Sequence, residues 1–526
     1  MNRPKSLRVV LIKPSKYNTD GWVERFRWGS MPNCSLPYLA SLTPRELLGV
    51  PVEVHAIDEY VHTDLRYLDL LEAEPGHRTL LGLVGIQSHQ FHRALDLAAL
   101  ASQRGALAIL GGPHPMTCDT SMIHGRGPSF ALSEAERIWE QVLRDAIEHG
   151  ELAPSYGGDA RWTGTLDPPV LQPPSSADLR RYASRLLGIY PARGCPYRCS
   201  FCSIIKIAGR QVRSQPLETT LASLRAAQHA GAGAIFFTSD NFNKYPEATR
   251  LLDAMIDEGL QLPFIVQCDL QVYRQGELIE KLGRAGCIQI YLGMESFDRQ
   301  SLLEVQKLQN RPEHYRDVRQ LCRQHGIACH FTNILGFMSH TEETILEHLE
   351  VLRSFDPDLA SFYILTPLPG TEQYDDFMAR GLVTERNLDR FDASHLTFDH
   401  PHLSHERLVD LAYRCYREFY DLRSIFRHVA QLLHGASSFK RGAFIKNVFG
   451  LAMLSRRASR GSLSGRREMT LDFAGGLFRR KVDRVSDYLD LRRETYGFEL
   501  APLPTSLRLS AHDEELNRQA KLRVID

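Results

Sequence analysis

Three cysteines lie within eight residues of one another, at Cys195, Cys199 and Cys202. Thiolates are the usual ligands of iron–sulfur clusters, and a cubane of four irons needs four ligands. Three thiolates leave one iron open, and an open iron can bind a cofactor or substrate and pass it an electron. The apolar run 186–190 just before the triplet predicts a loop at the carboxyl end of a strand, where α/β folds carry their chemistry.

The same cysteines have a simpler interpretation as a zinc knuckle or as buried free thiols. No fourth cysteine or nearby histidine completes a tetrahedral zinc site around the triplet. The spacing therefore favours a cluster over zinc, and the zinc interpretation stays open as the alternative.

With Phe201 directly before its last cysteine, the triplet resembles the signature loop of the radical S-adenosylmethionine (SAM) enzymes. The resemblance implies that the three cysteines bind a 4Fe-4S cluster and that SAM fills the open iron. It also implies reductive cleavage of SAM to a 5′-deoxyadenosyl radical, with the electron supplied by an external donor such as flavodoxin or ferredoxin.

The chain after the triplet alternates short apolar runs with amphipathic stretches, which predicts repeated βα units around a parallel sheet. Amphipathic stretches at 217–230 and 248–258 separate successive strands. Six such units suit the partial (β/α)6 barrel of the radical SAM fold, predicted here for residues 183–375. The predicted strands are 187–190, 234–238, 264–267, 288–292, 330–335 and 361–365.

Polar or small residues follow three of these strands, on the rim where the cluster is expected. Asp240 and Asn241 stand where many family members have a Gly-Gly-Glu run that contacts the SAM amino group. Glu295 and Ser296 resemble the segment that meets the ribose, and Gly336 lies in a stretch like the one that packs on adenine. Each alone is also an ordinary turn at a strand end.

The string 366–371 after the sixth strand resembles a subset of the family with an N-terminal cobalamin-binding domain. Residues 1–150 fit a doubly wound Rossmann-like or flavodoxin-like α/β domain, with strands predicted near 8–12, 52–57, 82–87 and 106–110 and a helix at 94–104. By resemblance, the cobalamin contacts are assigned to four residues. They are Gly111, Gly112, His114 and Glu134.

No Asp-x-His-x-x-Gly motif, which supplies the lower cobalt ligand in many cobalamin enzymes, occurs in residues 1–150. Its absence is common in the radical SAM subset. A flavodoxin-like domain that binds another ligand, or none, therefore remains the alternative.

Residues 151–182 are predicted to be a linker, because prolines and serines are frequent there. Residues 376–526 are predicted to be mainly helical and to cap the substrate site, with helices at 406–422 and 424–433. The apolar stretch 443–454 is predicted to pack against the barrel mouth rather than to touch lipid. The basic run 456–467 is predicted to be a solvated loop.

Composition sets limits on the function. The chain has 526 residues with 63 basic and 63 acidic side chains, so no global field directs it to nucleic acid or to an anionic membrane. Ten cysteines without an export signal predict a reducing, cytoplasmic location. No apolar run approaches the roughly 20 residues that span a bilayer.

The sequence thus predicts a cobalamin-dependent radical SAM enzyme that methylates an unactivated carbon of a small-molecule or natural-product substrate. No side chain is assigned as a catalytic acid, base or nucleophile. One alternative is a radical SAM cyclase, ring-rearranging or oxidising enzyme with bound cobalamin and no methyl transfer. Another, from a different class, is a non-enzymatic metal-binding scaffold.

Overall fold

Two parallel sheets follow one another along the chain and carry the residues that the sequence singles out. The computed structural model describes residues 3–26, 28–29, 33–62, 65–158, 166–434, 436–460 and 483–497. No helix within these ranges is both long and apolar enough to cross a bilayer.

The first sheet has seven strands in the order β2-β3-β1-β4-β5-β6-β7, parallel apart from the β2–β3 pair. Its central strand β1 is buried on both faces, as its run of valine, leucine and isoleucine predicts. The strands are β1 Ser6–Lys13, β2 Glu46–Leu47, β3 Val50–Asp58, β4 His77–Leu83, β5 Leu107–Gly111, β6 Ser129–Ala131 and β7 Ser155–Tyr156.

The second sheet has six parallel strands in the order β15-β14-β13-β12-β11-β8. A two-stranded ribbon, β9 Ala192–Arg193 with β10 Arg213–Ser214, flanks the cysteine loop. All six predicted strands are present with small shifts at their ends, which is the partial barrel expected. They are β8 Leu186–Ile189, β11 Ala234–Phe237, β12 Phe264–Cys268, β13 Cys287–Glu295, β14 Ala328–Leu335 and β15 Leu359–Ile364.

Helices cover both faces of the first sheet and the outside of the second, and several begin at a side-chain cap, such as Thr341 before α12. In the first domain they are α1 Ser35–Leu42, α2 Phe91–Gln103, α3 Pro113–Thr117 and α4 Ala135–Glu148, and α5 Ser176–Leu179 lies in the connection to the barrel. Around the barrel they are α6 Ile204–Ile207, α7 Leu217–His229, α8 Ala248–Asp257, α9 Gly276–Ala285, α10 Arg299–Glu304, α11 Tyr315–Gln324, α12 Glu342–Phe355 and α13 Glu372–Ala379. The last group is α14 His405–Phe419, α15 Leu422–Leu433, α16 Ser438–Ala443, α17 Gly450–Arg460 and α18 Leu489–Tyr496, with a π-helix Phe444–Phe449 between α16 and α17.

One strand of the first domain lies earlier than predicted. β4 ends at Leu83, whereas the sequence pattern placed a strand at 82–87. Gly85 has a φ of 65°, a left-handed conformation that turns the chain out of the sheet directly after the strand. The apolar residues 84–86 therefore form the loop after β4.

The C-terminal helices lie elsewhere than the barrel mouth. Lys440 donates a hydrogen bond to the carbonyl of Gly283, at the end of the helix that precedes β13, and the π-helix contacts the turn before β8. These helices close the amino-terminal end of the barrel, opposite the rim that carries the cysteines. The prediction that 443–454 packs at the mouth is wrong, because a chain leaving α14 arrives at the other end. The part 461–467 of the predicted basic loop lies outside the described residues.

The segment 483–497 returns to the first domain. Arg492 of α18 forms a buried salt bridge with Asp96 of α2, with Nη2–Oδ2 at 2.8 Å. Asp483 accepts from Arg25 at 2.7 Å and from Arg93 at 3.0 Å. This part of the predicted substrate cap therefore completes the core of the first domain.

Candidate functional site

The cysteine loop starts with a glycine whose conformation no other residue adopts easily. Gly194 has a φ of 104°, and a Cβ there would lie 2.2 Å from the carbonyl oxygen of Gln211. The loop can therefore approach the ribbon closely. It directs Cys195, Cys199 and Cys202 into a cavity of about 670 Å³ inside the barrel.

Amide groups donate to two of the three sulfurs. Nδ2 of Asn241 lies 3.1 Å from Sγ of Cys195, and Nε2 of Gln309 lies 3.5 Å from Sγ of Cys199. Burial raises the pKa of Cys195 to about 11, so a thiolate there requires a positive partner. Such N–H···S contacts and a need for cationic partners fit the ligands of an iron–sulfur cluster.

The zinc alternative fits less well. Within the described part of the chain, no three His, Cys, Asp or Glu side chains are spaced to share a single metal ion. A cubane spreads its ligands over separate irons and accepts wider spacing than one tetrahedral ion.

Asp240 follows β11 and ties the second strand end to the cysteine loop. Its Oδ2 accepts a hydrogen bond from the backbone N–H of Gly194 at 2.7 Å. Burial raises the pKa of this carboxyl to about 6. Asp240 and Asn241 both line the barrel cavity, where the resemblance predicts the SAM amino group.

Glu295 lies at the end of β13 and also faces the cavity, in a left-handed conformation with φ 60°. Its Oε1 accepts from Nζ of Lys307 at 2.5 Å, and this ammonium stands 5.7 Å from the ring centre of Phe201. Burial lowers the pKa of Lys307, but the Glu295 carboxylate and the sulfurs of Cys199 and Cys202 together outweigh it and raise the pKa overall, so the lysine stays charged. Sequence reasoning missed Lys307 and Gln309, which return to the cluster loop from a connection beyond α10.

Two predicted SAM contacts do not line the cavity. Ser296 is fully buried, and its hydroxyl accepts from the backbone N–H of Asp298 at 3.0 Å. Gly336 faces α14, where a Cβ would lie 2.8 Å from Cδ2 of Leu408. The chain turns away from the barrel axis after β13 and after β14. Thr332 and Ile334 of β14 line the cavity wall instead.

The lower half of the cavity has a row of neutral polar side chains that the sequence did not single out. His330 forms hydrogen bonds to Gln289 at 2.9 Å and to Ser361 at 2.8 Å. Burial lowers the pKa of His330 to about 3, so the imidazole is neutral. Alternation along β13, β14 and β15 was the available signal, because every second residue points inward.

A second cavity, of about 460 Å³, lies at the carboxyl ends of β1, β4, β5 and β6, between the first domain and the barrel. Gly111 and Gly112 line it as predicted. Gly112 has a φ of 133°, and a Cβ there would lie 2.2 Å from the backbone nitrogen of Ile86. Because Gly112 has no side chain, its loop packs directly against the backbone of Gly85 and Ile86, and the second cavity stays open.

The two cavities share wall residues, namely Ile204, Asp240 and Gln267. A ligand in the first-domain cavity is therefore separated from the cluster cavity by single side chains. This adjacency joins the two predicted cofactor sites into one composite site.

The second cavity also contains polar atoms that lack a protein partner. Among the described residues, Ser133 Oγ and Glu136 Oε2 are buried there with no hydrogen-bond partner. A buried polar atom without a partner is costly, so these atoms suit a bound ligand rich in hydrogen-bonding groups. Cobalamin, with its amide side chains, is such a ligand.

The other two predicted cobalamin contacts behave differently. Glu134 lines the cavity, but its carboxylate accepts from Arg213 at 2.8 and 2.6 Å. His114 does not line the cavity, and this prediction is corrected. The loop becomes the short helix α3 at Pro113, which turns the imidazole toward Ser88 and the ring of Phe91, 4.1 Å away. Burial lowers the pKa of His114 to about 3.

Comparison with known proteins agrees with this geometry. Residues 189–352 match the Radical SAM superfamily model. Bacteriochlorophyllide d C-12(1)-methyltransferase of Chlorobaculum tepidum is 26% identical over 335 residues, covering 62% of this chain and 72% of the relative. The C-8(2)-methyltransferase of the same organism is 25% identical over 385 residues, covering 69% and 79%.

A solved structure has the same fold. It is the radical SAM methyltransferase TsrM of Kitasatospora setae with cobalamin and a 4Fe-4S cluster bound, at 17% identity and a TM-score of 0.56, covering 71% of this chain and 75% of that one. The family match identifies residues 189–352 as a radical SAM domain. The order of an N-terminal α/β domain followed by a partial barrel is also the order of the TsrM fold.

Proposed function

We propose that this protein is a cobalamin-dependent radical SAM methyltransferase that adds a methyl group to an unactivated carbon of a small molecule. The observation that carries the proposal is the shared wall between the cysteine-lined cavity and the first-domain cavity. Radical formation and methyl delivery have to reach the same carbon, and two adjoining cavities allow this.

The cluster site is assigned to Cys195, Cys199 and Cys202, with Asn241 and Gln309 donating to the sulfurs. The cobalamin site is assigned to the second cavity, with Ser133 and Glu136 as polar contacts. When bound, these cofactors with SAM supply a 5′-deoxyadenosyl radical and a methyl group, chemistry that no side chain can perform.

The side chains of the barrel cavity bind and orient SAM and the substrate. Asp240 is placed to accept from the SAM amino group and Glu295 from the ribose hydroxyls, since a carboxylate accepts several hydrogen bonds. Lys307 fixes the Glu295 carboxylate at the cavity wall. The neutral row at Gln289, His330 and Ser361 lines the lower cavity without a charge that would attract water.

The proposal includes a partner and a compartment. The cluster needs an external one-electron donor, such as a flavodoxin or ferredoxin, and thiols in this number favour the reducing cytoplasm. The substrates in the relatives' names are bacteriochlorophyllides. For this chain we propose a small-molecule substrate that binds in the barrel cavity.

Product analysis tests the reaction. Holoenzyme loaded with cluster and cobalamin is incubated anaerobically with a reductant, SAM carrying a deuterated methyl group, and metabolite extract from a strain that lacks the protein. Methyl transfer predicts a deuterated product with S-adenosylhomocysteine and 5′-deoxyadenosine in equal amounts. 5′-Deoxyadenosine without S-adenosylhomocysteine would instead identify the ring-forming or oxidising alternative. The Cys199→Ala variant is the control and should give neither.

A further inference from the structure

The net charge of zero hides one strongly basic segment. Residues 422–457, which form α15, α16, the π-helix and most of α17, contain no Asp or Glu. In a chain with equal numbers of acids and bases, such a run concentrates positive charge at one end of the barrel. The seven basic residues are Arg423, Arg427, Lys440, Arg441, Lys446, Arg456 and Arg457.

Large apolar side chains are exposed among these charges. Phe426 on α15 is 57% exposed, Ile445 on the π-helix 48%, and Leu422 on α15 42%. The Phe426 ring lies 5.7 Å from that of Phe449, which brings the two helices together in one patch. Leu422 and Phe426 are one helical turn apart, so they project from the same side of α15.

The same helices form the end wall of the barrel cavity. Lys446, Asn447, Leu451 and Leu454 line it together with residues before β8. Lys446 and Asn447 belong to the π-helix, a rare conformation that is frequently found at functional sites. The exposed patch and the end wall of the cavity thus belong to one helical layer, and Lys446 is part of both.

We propose that this layer is a docking face for the surface of an anionic lipid bilayer. The docking face consists of Leu422, Arg423, Phe426, Ile445 and Lys446. Exposed apolar side chains flanked by Lys and Arg are typical of helices that lie in the membrane interface. The two acids beside α15 are already engaged, Asp421 as the cap of the helix and Asp356 in a pair with Arg427. Two of the three exposed apolar side chains, Leu422 and Ile445, are aliphatic, which favours lipid over nucleic acid, since nucleic acid is recognised through stacking and hydrogen bonds.

The docking face has a consequence for the substrate, which rests on the proposed function. A molecule dissolved in the bilayer would face the amino-terminal end of the barrel, where the wall combines apolar groups with the neutral row at His330. We therefore assign the substrate to membrane-partitioned amphiphiles with hydroxyl or carbonyl groups. Binding to vesicles tests the docking face alone, without substrate or turnover, so its failure leaves the methyl-transfer proposal untouched.

Vesicle co-sedimentation of the full-length protein tests the docking face. We expect binding to vesicles of phosphatidylcholine with phosphatidylglycerol, little binding to phosphatidylcholine alone, and loss of binding at high salt. Arg423→Gln and Lys446→Gln should each weaken binding about fivefold. The double variant Phe426→Ser with Ile445→Ser should abolish it at low protein concentration.

Matched controls lie elsewhere on the surface. Leu303→Ser removes an apolar side chain that is 56% exposed, and Arg250→Gln removes an arginine whose side chain is 71% exposed. Both should bind vesicles like the unchanged protein. Equal binding to neutral vesicles, no binding at low salt, or variants that bind as well as the controls would overturn the proposal. The proposal would also be overturned if the docking-face variants abolished self-association of the protein, or its retardation of RNA in a gel, instead of vesicle binding.

Discussion

Glu134 of the first domain forms a two-armed salt bridge with Arg213 of the barrel ribbon, at 2.8 and 2.6 Å. Both side chains are buried, and Glu134 also lines the first-domain cavity. Arg193 stands beside them, 2.9 Å from Glu136, with its guanidinium 4.9 Å from the ring centre of Tyr38. This ionic cluster sets the position of the first domain relative to the cysteine loop.

Removing one member of the cluster should destabilise the protein. Glu134→Gln leaves the Arg213 guanidinium buried opposite a neutral group, and loss of one partner of a buried pair typically costs about 3–5 kcal/mol. We expect a clear fall in the urea midpoint, measured by tryptophan fluorescence. Glu313→Gln, which breaks the exposed pair with Arg299, is the control and should change the midpoint little. Equal midpoints for both variants would refute a stabilising role for the buried pair.

Filling the second cavity should prevent cobalamin binding while the cluster remains. Ala131 lies in its wall at the end of β6, and Ala131→Leu places a larger apolar side chain into the space. We expect the purified, reconstituted variant to retain its iron and to lose hydroxocobalamin binding in absorbance titrations. Val170→Leu, on an exposed position outside both cavities, is the matched control. Undiminished cobalamin binding by Ala131→Leu would assign the cofactor to another place.

Lys307 should act on SAM through Glu295. Lys307→Gln removes the charged donor from a buried carboxylate, and a hydrogen bond to a charged group contributes about 1.5–3 kcal/mol, which corresponds to about tenfold or more in affinity. We expect SAM binding to weaken by about that factor in equilibrium dialysis, with Lys307→Arg less affected. Iron content should stay the same in both variants. Loss of iron from Lys307→Gln would show that the lysine supports the cluster instead.

Buried neutral histidines should make the fold sensitive to acid. Burial, reinforced by nearby His340, lowers the pKa of His348 to about 3, while the unfolded chain titrates near its usual value of about 6.5. Between these values only the unfolded state binds the proton, so stability is lost as the pH falls from 6.5. At pH 5 this one group should cost about 2 kcal/mol relative to pH 7.

His348→Gln tests this dependence, because glutamine can still donate to Asn333 Oδ1, which the imidazole approaches at 2.9 Å. We expect the difference in urea midpoint between pH 7 and pH 5 to be smaller in the variant than in the unchanged protein. His402→Gln, at an exposed loop position, should leave the difference unchanged. An identical pH response in both variants would contradict the assignment.

The sequence predicted those features whose signal is local. The cysteine triplet and its glycine lie in one short loop, and the six barrel strands are marked by continuous apolar runs. Lys307 and Gln309 could not be predicted, because they reach the cluster loop only after the chain folds back from α10. His114 was assigned wrongly, because the start of α3 at Pro113 rotates it into the core.

The net charge of the whole chain did not indicate the docking face. That net charge is zero, and the positive charge of residues 422–457 is evident only when this acid-free segment is considered by itself. Likewise, the stretch 443–454 is apolar in sequence, but its π-helical turn exposes Ile445 and Lys446 while burying Phe444 and Val448. Which side of that turn faces the barrel depends on tertiary packing.

Iron and sulfide analysis of anaerobically purified protein tests the central claim, that Cys195, Cys199 and Cys202 hold one cubane. The account predicts about four irons and four sulfides per chain, with both lost from the triple alanine variant and retained by Cys415→Ala, whose thiol is buried in α14. Less than one cubane per chain after reconstitution, zinc in place of iron, or iron retained by the triple variant would contradict it.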